Sequence, residues 1–416
     1  MTTNHFRIIV LALAGVAGIS AALKVRVVAG EETPAAVKTG RDWLDVPRPE
    51  RVPMPAAEEI ETAIRRGTDF LLERQLTHGD AHGAWGSATR TKGLNIYAPV
   101  PGAHEGFRAA VTSLCLSALI EGTDRRPEVI AAIEAGERWL LEHLGNVRRA
   151  NQDAIYNVWA HAYAIEALAD LHGYRHDDPD KQAQLRQMIV GQIDRLDRYE
   201  SVDGGWGYYD FRAYAQQPSS NPTSFTTATA LIAFHDARSL GIEIPDRLVR
   251  RAIACVERQQ KPDFSYYYSD NGPVDNQPMR SINRPGGSLG RSQACNLALR
   301  LWDRPEITDR VLDAWLARLF SRNLWLDIGR KRPIPHESHF LVAGYFFYYG
   351  HYHAARCIEL LPADEQQQHS EHLCSILLRL QEEDGSWWDY PLYDYHQQYG
   401  TAFSLMALQR LREAGR

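Results

Sequence analysis

The chain has 416 residues, of which 44% are hydrophobic and 24% are charged, and its formal net charge is −6. This composition is typical of a globular protein with an ample core and excludes the disordered and fibrous classes. The acidic balance, with no run of Lys and Arg that would build a clustered basic surface, argues against nucleic acid as a partner.

The N-terminal segment, residues 1–29, has the pattern of an export signal. The apolar run IIVLALAGVAGISAAL begins at Ile8 and ends in small residues that offer a cleavage site, which predicts a signal peptide. The alternative is an uncleaved anchor that associates the protein with a membrane, because Lys24 follows the run at once. Both interpretations predict an extracytoplasmic protein, periplasmic or secreted. Residues 30–55, rich in Glu, Thr, Ala and Pro, are predicted to be a flexible spacer.

A helical hairpin is repeated along the rest of the chain, residues 56–416. The first helix of each hairpin has charges on one face, and the turn beyond it combines Gly with an aromatic residue, as at Trp85, Trp206 and Trp387. Gly supplies the positive φ that ends a helix, and the tryptophan covers the helix end. Similarity at a repeated spacing is the signature of a repeat architecture.

The second helices share another pattern, which consists of a small residue, four intervening positions and then Ala-Leu or Ala-Phe. The aligned alanines are Ala118, Ala167, Ala233, Ala298 and Ala407. The long last spacing predicts one more hairpin between residues 313 and 361. These helices are small and apolar on nearly every side, which is typical of an inner helix. The sequence therefore predicts an all-α fold, an α/α toroid (α6/α6 barrel) of six αα-hairpins in which the inner-helix N-termini surround a cavity.

The repeats resemble the Gln-Trp repeats of squalene-hopene cyclases. The phrase QEEDGSW, which begins at Gln381, matches Gln-x-x-x-Gly-x-Trp in full, and the phrase RGTDFLLERQ, which ends at Gln75, is a diverged copy. The repetitive region as a whole is similar to the prenyltransferase and squalene-cyclase (terpenoid cyclase-like) superfamily of α/α toroids. The resemblance implies the fold, whereas function has to be argued from the site.

The resemblance also implies two kinds of chemistry, and this sequence lacks the residues for both at the aligned positions. The cyclases carry Asp-x-Asp-Asp just before a Thr-Ala at an inner-helix start, but Thr227 follows Thr-Ser-Phe-Thr. The protein prenyltransferases hold zinc with an Asp and a Cys two residues apart, and no Asp-x-Cys occurs. We therefore predict no cyclase acid at this position, no metal and no cofactor.

Aromatic and polar residues gather at the predicted mouth of the barrel. The residues predicted to bind a ligand there are Trp159, His161, Tyr208, Arg284, Arg291, His396 and Tyr399. Aromatic faces with a few charged or hydrogen-bonding groups are typical of a site for sugars or for another planar or amphiphilic ligand.

The densest group of reactive side chains is the segment Pro-His-Glu-Ser-His at residues 335–339. On a helix His336 and His339 would share one face, so with Glu337 they are the candidate catalytic residues. The spacing differs from that of the H-E-x-x-H metalloproteases. The simpler interpretation is that the two histidines cap the start of a helix.

The sequence leads to one predicted function and three alternatives. We predict an exported toroid protein whose central cavity binds a small amphiphilic, polyprenoid or glycan ligand. The first alternative is a carbohydrate-active enzyme, a glycosidase or lyase that uses two rim carboxylates or a His and Arg pair. The second is a divergent terpene cyclase with a displaced acid, and the third is a scaffold with a filled centre. Whether the protein is an enzyme stays open at this point.

Overall fold

The structure is a computed structural model, and it divides the chain into residues 1–42 and residues 43–416. The described residues are 42–92, 100–210, 217–218, 221–269, 281–284, 286–337 and 342–414. The predicted signal peptide or anchor and the first part of the predicted spacer lie outside them. In the rest of the spacer, Arg48 forms an ion pair with Asp313. None of the described helices is long and apolar enough to cross a membrane.

Twelve main helices in the described residues alternate between an outer and an inner layer. The outer helices are α1 (Ala57–Arg74), α3 (Pro127–His143), α5 (Pro179–Arg198), α7 (Asp246–Arg258), α9 (Asp309–Ser321) and α12 (Ala363–Arg379). The inner helices are α2 (His104–Glu121), α4 (Asn157–Tyr174), α6 (Ser224–Ser239), α8 (Leu289–Leu301), α11 (Phe347–Ile358) and α13 (His396–Ala414). A short helix, α10 (Asn323–Asp327), follows α9.

The inner helices form a closed ring. Helix α2 packs on α4, α4 on α6, α6 on α8, α8 on α11, α11 on α13, and α13 packs back on α2. The outer helices pack against this ring, with α1 on α13 and α3, α5, α7, α9 and α12 on their neighbours in the inner layer. This arrangement confirms the predicted all-α toroid of six αα-hairpins. The extra hairpin predicted from the long spacing is α9 with α11.

The two layers differ in sequence as their burial requires. Every residue of α6 from Ser224 to Phe234 is buried, and the helix consists almost entirely of small and apolar side chains. The outer helix α7 buries one stripe only, formed by Leu248, Val249, Ala252, Cys255 and Val256. A stripe with this spacing lies on one helical face, and residues on the opposite face of α7, such as Arg250, are exposed.

The repeat tryptophans fasten each outer helix to the turn that follows it. Trp85, Trp206 and Trp387 are fully buried. Their indole N–H groups donate to carbonyls near the ends of α1, α5 and α12 at 2.7, 2.7 and 2.8 Å. Their backbone N–H groups donate to threonine hydroxyls on α2, α6 and α13 at 3.0, 3.0 and 3.1 Å. The three tryptophans are thus packing residues that hold the two layers together.

The glutamine of the last repeat joins the two ends of the ring. The side-chain amide of Gln381 donates to the carbonyls of Gly385 and Ala63, each at 2.9 Å. Ala63 belongs to α1, so the turn after the last outer helix is tied to the first outer helix. In the same way Gln75, at the end of α1, donates to Ala132 of α3 at 2.9 Å.

The segment before α11 departs from the helix predicted there. It forms two short antiparallel strands, β1 (His336–Glu337) and β2 (Val342–Ala343). The predicted helix start is therefore wrong at His336 and Glu337. The backbone of these two residues is held instead by strand pairing, with His336 opposite Ala343 and Glu337 opposite Val342. His339 lies outside the described residues.

Candidate functional site

A cavity of about 560 Å³ lies inside the ring, at the N-terminal halves of the inner helices. Pockets for small molecules have volumes of roughly 300–1,000 Å³, so this cavity is large enough for a ligand. Its walls come from α2, α4, α6, α11 and α13 and from the loops that precede inner helices. The described lining residues are Phe107, Ala110, Val111, Leu114, Tyr156, Trp159, Tyr163, Tyr208, Tyr209, Phe225, Tyr268, Ile334, Pro335, His336, Tyr345, Phe346, Tyr349, Tyr390, Leu392, Tyr399 and Phe403.

The lining is dominated by aromatic rings. Trp159 stacks on Tyr163 and on Phe225, with ring centroids 5.8 and 5.9 Å apart. Neither a carboxylate nor a lysine or arginine occurs among the described lining residues. The polar atoms of the side chains that line the wall are phenol hydroxyls, the indole N–H and the imidazole of His336. Such a surface favours an apolar ligand body, and its ring faces also attract positive charge.

Four lining residues form a continuous hydrogen-bonded chain, which we name the phenol–imidazole chain. The hydroxyl of Tyr208 bonds to that of Tyr268. The hydroxyl of Tyr268 bonds to that of Tyr345 at 2.9 Å, and the hydroxyl of Tyr345 bonds to Nε2 of His336 at 2.8 Å. The four side chains come from the loop before α6, the loop after α7, the turn before α11 and β1. Burial raises the pKa of all three phenols well above the usual value, so they are neutral.

His336 ends the chain at the mouth of the cavity. Part of its side chain is exposed there. Its surroundings of aromatic rings, and secondarily the positive charge of Arg291, lower the pKa of His336 to about 4. The imidazole is therefore neutral at pH 7, with one ring nitrogen as a donor and the other as an acceptor.

A carboxyl group, that of Asp389, lies behind the cavity wall next to Tyr399. The hydroxyl of Tyr399, a lining residue, donates to Oδ1 of Asp389 at 2.6 Å. Asp389 is fully buried and also accepts from the backbone N–H groups of Tyr390 and Tyr348, at 2.7 and 3.2 Å. Burial raises the pKa of Asp389 to about 6, although these three hydrogen bonds favour the charged form. The carboxyl group is not among the described groups that line the cavity.

The seven residues predicted to bind a ligand fall into two sets. Trp159, Tyr208 and Tyr399 line the cavity. The other four are absent from the described lining. These four are His161, Arg284, Arg291 and His396.

The helical period explains the case of His161. Trp159 and Tyr163, four residues apart on α4, face the cavity, and a residue halfway between them points to the opposite side of the helix. There His161 is buried, and its Nδ1 bonds to the side-chain oxygen of Gln192 on α5 at 2.8 Å. Burial lowers the pKa of His161 to about 4, so it is a neutral packing residue.

The remaining three residues, Arg291, His396 and Arg284, are absent from the described lining for different reasons. Arg291 is fully buried, and its N–H groups donate to backbone carbonyls, among them those of Tyr266 and Gly287. His396 is buried beside Trp388 and bonds through Nδ1 to the carbonyl of the residue three positions before it, at 2.5 Å. Arg284 is exposed.

Of the candidate catalytic residues, His336 lines the cavity and Glu337 follows it in β1, while His339 lies outside the described residues. Within the described part of the chain, no group of three His, Cys, Asp or Glu side chains could hold a metal ion. Sequence reasoning missed Tyr268 and Tyr345. The available signal was their position in a loop that precedes an inner helix, which Tyr208 shares.

Neither a protein-family model nor a curated protein matches the sequence. Solved structures do match. The alpha-1,6-mannanase GH76A of Salegentibacter sp. HEL1_6, in complex with alpha-1,6-mannotriose, has a TM-score of 0.54 at 11% identity, over 85% of this chain and 99% of that chain. The type II terpene cyclase MstE from Scytonema has a TM-score of 0.47 at 12% identity, over 87% and 99%. A protein from Actinoplanes has a TM-score of 0.47 at 17% identity, over 86% and 100%.

These likenesses concern the fold. The match with the mannanase, which spans nearly the whole of both chains, confirms that this chain is an α/α toroid, the fold that the resemblance to the terpenoid cyclase-like superfamily implied. At such low identity the match carries no activity from one protein to the other.

Proposed function

We propose that the protein binds a polyprenoid or similar amphiphile in its central cavity. The observation that carries the proposal is the described lining, whose side chains are almost all aromatic or aliphatic and whose polar side-chain atoms are the hydroxyls of nine tyrosines, one indole N–H and one imidazole. A branched hydrocarbon tail would bury its surface against these rings at little desolvation cost.

A glycan fits the same lining less well. Sugar hydroxyls need hydrogen-bond partners when they leave water, and an unpaired hydroxyl in an apolar site costs roughly 1–3 kcal/mol. The hydroxyls of Tyr208, Tyr268 and Tyr345 are already bonded to one another. Glycoside hydrolysis also uses two carboxyl groups on either side of the scissile bond. The described lining residues supply neither of them, so we place the glycosidase alternative below the amphiphile.

The proposed setting is outside the cytoplasm. Residues 1–29 predict export, either with cleavage or with retention of an anchor, and so the body of the protein would lie in the periplasm or be secreted. A retained anchor would hold the cavity near a bilayer, which is where a ligand with a long apolar tail resides. Mass analysis of the mature N-terminus decides between these two forms.

The test is a direct binding measurement with two unlike ligands. We expect phytol, an isoprenoid alcohol, to bind and alpha-1,6-mannotriose to show no binding, as measured by calorimetry or native mass spectrometry. Substituting Trp159→Ala should weaken phytol binding roughly tenfold, because a stacked ring is removed from the wall. The matched control is Trp43→Ala, since Trp43 is exposed outside the ring. Binding of the trisaccharide without phytol would contradict the proposal.

A second candidate function is that of a terpene cyclase with a displaced acid. The observation that favours it is Asp389, whose pKa is raised to about 6 and whose carboxyl group is hydrogen bonded to the cavity-lining Tyr399. Because the carboxyl group is not itself in the described lining, we rank this activity below binding. Incubation with squalene or geranylgeranyl diphosphate should give no cyclised product. A product that disappears in Asp389→Asn would establish the cyclase instead.

A further inference from the structure

The phenol–imidazole chain has a free end inside the cavity. A phenol has one proton to donate, and the chain contains three phenols and three links. If Nε2 of His336 carries no proton, the three phenol protons fill the three links and the oxygen of Tyr208 is left as an acceptor. If Nε2 carries the proton, the direction of donation reverses along the chain and the proton of Tyr208 is left over. In both cases the group with the fewest partners is the Tyr208 hydroxyl, which makes one close hydrogen bond, to Tyr268, and a weaker one to Tyr345.

The chain is also electrically neutral, and a described cation that packs against its rings, Arg291, donates its N–H groups to backbone carbonyls. The guanidinium of Arg291 lies behind the rings of Tyr268 and Phe346, 5.9 and 5.8 Å from their centroids. Its N–H groups donate to backbone carbonyls, including that of Gly287 at 3.0 Å. A phosphate in the cavity would therefore lose its hydration without gaining a cationic partner among the described lining residues, which is strongly unfavourable.

The Tyr208 end of the chain and the lack of a cationic partner among the described lining residues together favour one kind of ligand head group. A plain hydrocarbon would leave the free end of the chain unpaired in an apolar cavity, whereas an alcohol or a carbonyl oxygen would complete it. We propose that Tyr208, at the inner end of the phenol–imidazole chain, is a subsite for a single neutral oxygen function, so that the ligand is an isoprenoid alcohol or carbonyl compound. This inference rests on the proposed function, because it concerns the same cavity.

The experiment compares three ligands with one branched tail, namely phytol, phytane and phytyl diphosphate, titrated into the full chain. We expect phytol to bind roughly five to ten times more tightly than phytane, the difference that one hydrogen bond typically makes. Phytyl diphosphate should bind more weakly than phytol.

Two variants test which residues of the chain produce the preference for phytol over phytane. Tyr208→Phe should remove the preference for phytol over phytane. Tyr345→Phe should reduce the preference in part, because it disconnects His336 from the rest of the chain. The matched control is Tyr267→Phe, since Tyr267 is the neighbour of Tyr268 in sequence, lies over Lys261 and is not among the described lining residues. The control should keep the full preference.

The outcomes separate the two proposals. If phytane and phytol bind with equal affinity, or if Tyr208→Phe retains the preference, the oxygen subsite is wrong and the cavity still binds an apolar ligand. If the diphosphate binds most tightly, the subsite is wrong and the cavity recognises an anion. If none of the three ligands binds, the proposed function itself fails.

Discussion

The two ends of the inner barrel are built from the same helices and have opposite chemistry. At the N-terminal ends lies the aromatic cavity, whose described titratable groups are neutral. At the C-terminal ends the helices bring together an ionic cluster, which consists of Glu121, Glu166, Asp170, Asp236, Arg356 and Arg410. In this cluster Arg356 contacts Glu166 at 3.3 Å and Asp236 at 3.0 Å, and Arg410 contacts Glu121 at 2.7 Å.

This difference indicates that one end of the ring of parallel inner helices stabilises the fold, while the other end forms the cavity. Helix C-termini carry partial negative charge, so an end at which they converge favours cations. Arg356 and Arg410 supply them, and the surrounding acids keep the pKa of both guanidinium groups above the ordinary value. The ionic end therefore binds the inner helices to one another, which leaves the N-terminal end free to remain open and apolar. Stability and ligand binding should respond to different substitutions.

The largest expected effect tests that separation at the ionic end. Substituting Arg356→Met removes the cation between Glu166 and Asp236 and should lower the free energy of unfolding by about 3–5 kcal/mol, because two buried acids lose their partner. The measurement is urea denaturation. Arg250→Met, at an exposed site on α7, is the control and should change stability by less than about 0.5 kcal/mol.

Ligand binding by the same variant decides whether the ends are independent. The folded fraction of Arg356→Met should bind phytol as the wild type does, because the substituted side chain is not part of the described lining. A fall in phytol affinity that matches the loss of stability would show that the two ends are coupled.

Two tryptophans near the cavity end provide the next comparison. Trp387 is fully buried and hydrogen bonded, so Trp387→Ala should lower stability by about 3–5 kcal/mol. Trp159 is only partly buried and lines the cavity, so Trp159→Ala should affect phytol binding more than stability. Thermal melts and titrations on both variants check the contrast. If the two variants lost the same stability, Trp159 would be a residue of the hydrophobic core and not of a ligand site.

The sequence predicted the fold well because its signals are local. A glycine and an aromatic residue recur in the turns, and small apolar patterns recur in the inner helices, so each hairpin can be recognised from one stretch of chain. The positive φ expected at such turns is found at Gly83, Gly204 and Gly385. Even the hairpin of α9 and α11, whose pattern has drifted, was predicted from the spacing.

The site could not be predicted as well because its residues meet through packing. Glu166 and Arg356 contact each other across 190 positions of sequence. His161 resembled a rim residue, although its position on α4 turns it away from Trp159 and the cavity. The segment that begins at His336 looked like a helix start, although it pairs as a strand with Val342 and Ala343. Which face a helix presents and how a loop folds are set by the tertiary structure.

The effect of pH should also differ between the two ends of the barrel, on stability at the ionic end and on ligand affinity at the cavity end. Burial, with a further contribution from Asp170, raises the pKa of Glu121 to about 7, although Arg410 opposes the shift. The folded state thus holds this proton more tightly than the unfolded chain, whose glutamate has a pKa of about 4.3. The associated stability is fully present below about pH 4 and is lost as the pH rises toward 7.

The variant Glu121→Gln isolates this contribution. Relative to the wild type, it should gain about 1–2 kcal/mol of stability between pH 5 and pH 8, as measured by urea denaturation at each pH. Phytol affinity should stay constant over the same range, because the pKa of His336 is about 4. An unchanged pH slope in the variant would assign the dependence to other acids whose pKa is raised by burial, namely Glu166, Asp170 or Asp389.

The smallest expected effect concerns Asp389, the carboxylate behind the cavity wall. Its pKa is raised by burial to about 6, and the hydrogen bond from Tyr399 favours its charged form. Tyr399→Phe should therefore lower stability by about 1.5 kcal/mol at pH 8, where Asp389 is charged, and by less at pH 5, where it is protonated. Thermal melts at the two pH values measure the difference. An equal loss at both would mean that the hydroxyl of Tyr399 stabilises the wall independently of charge, and the cavity end would then be neutral throughout.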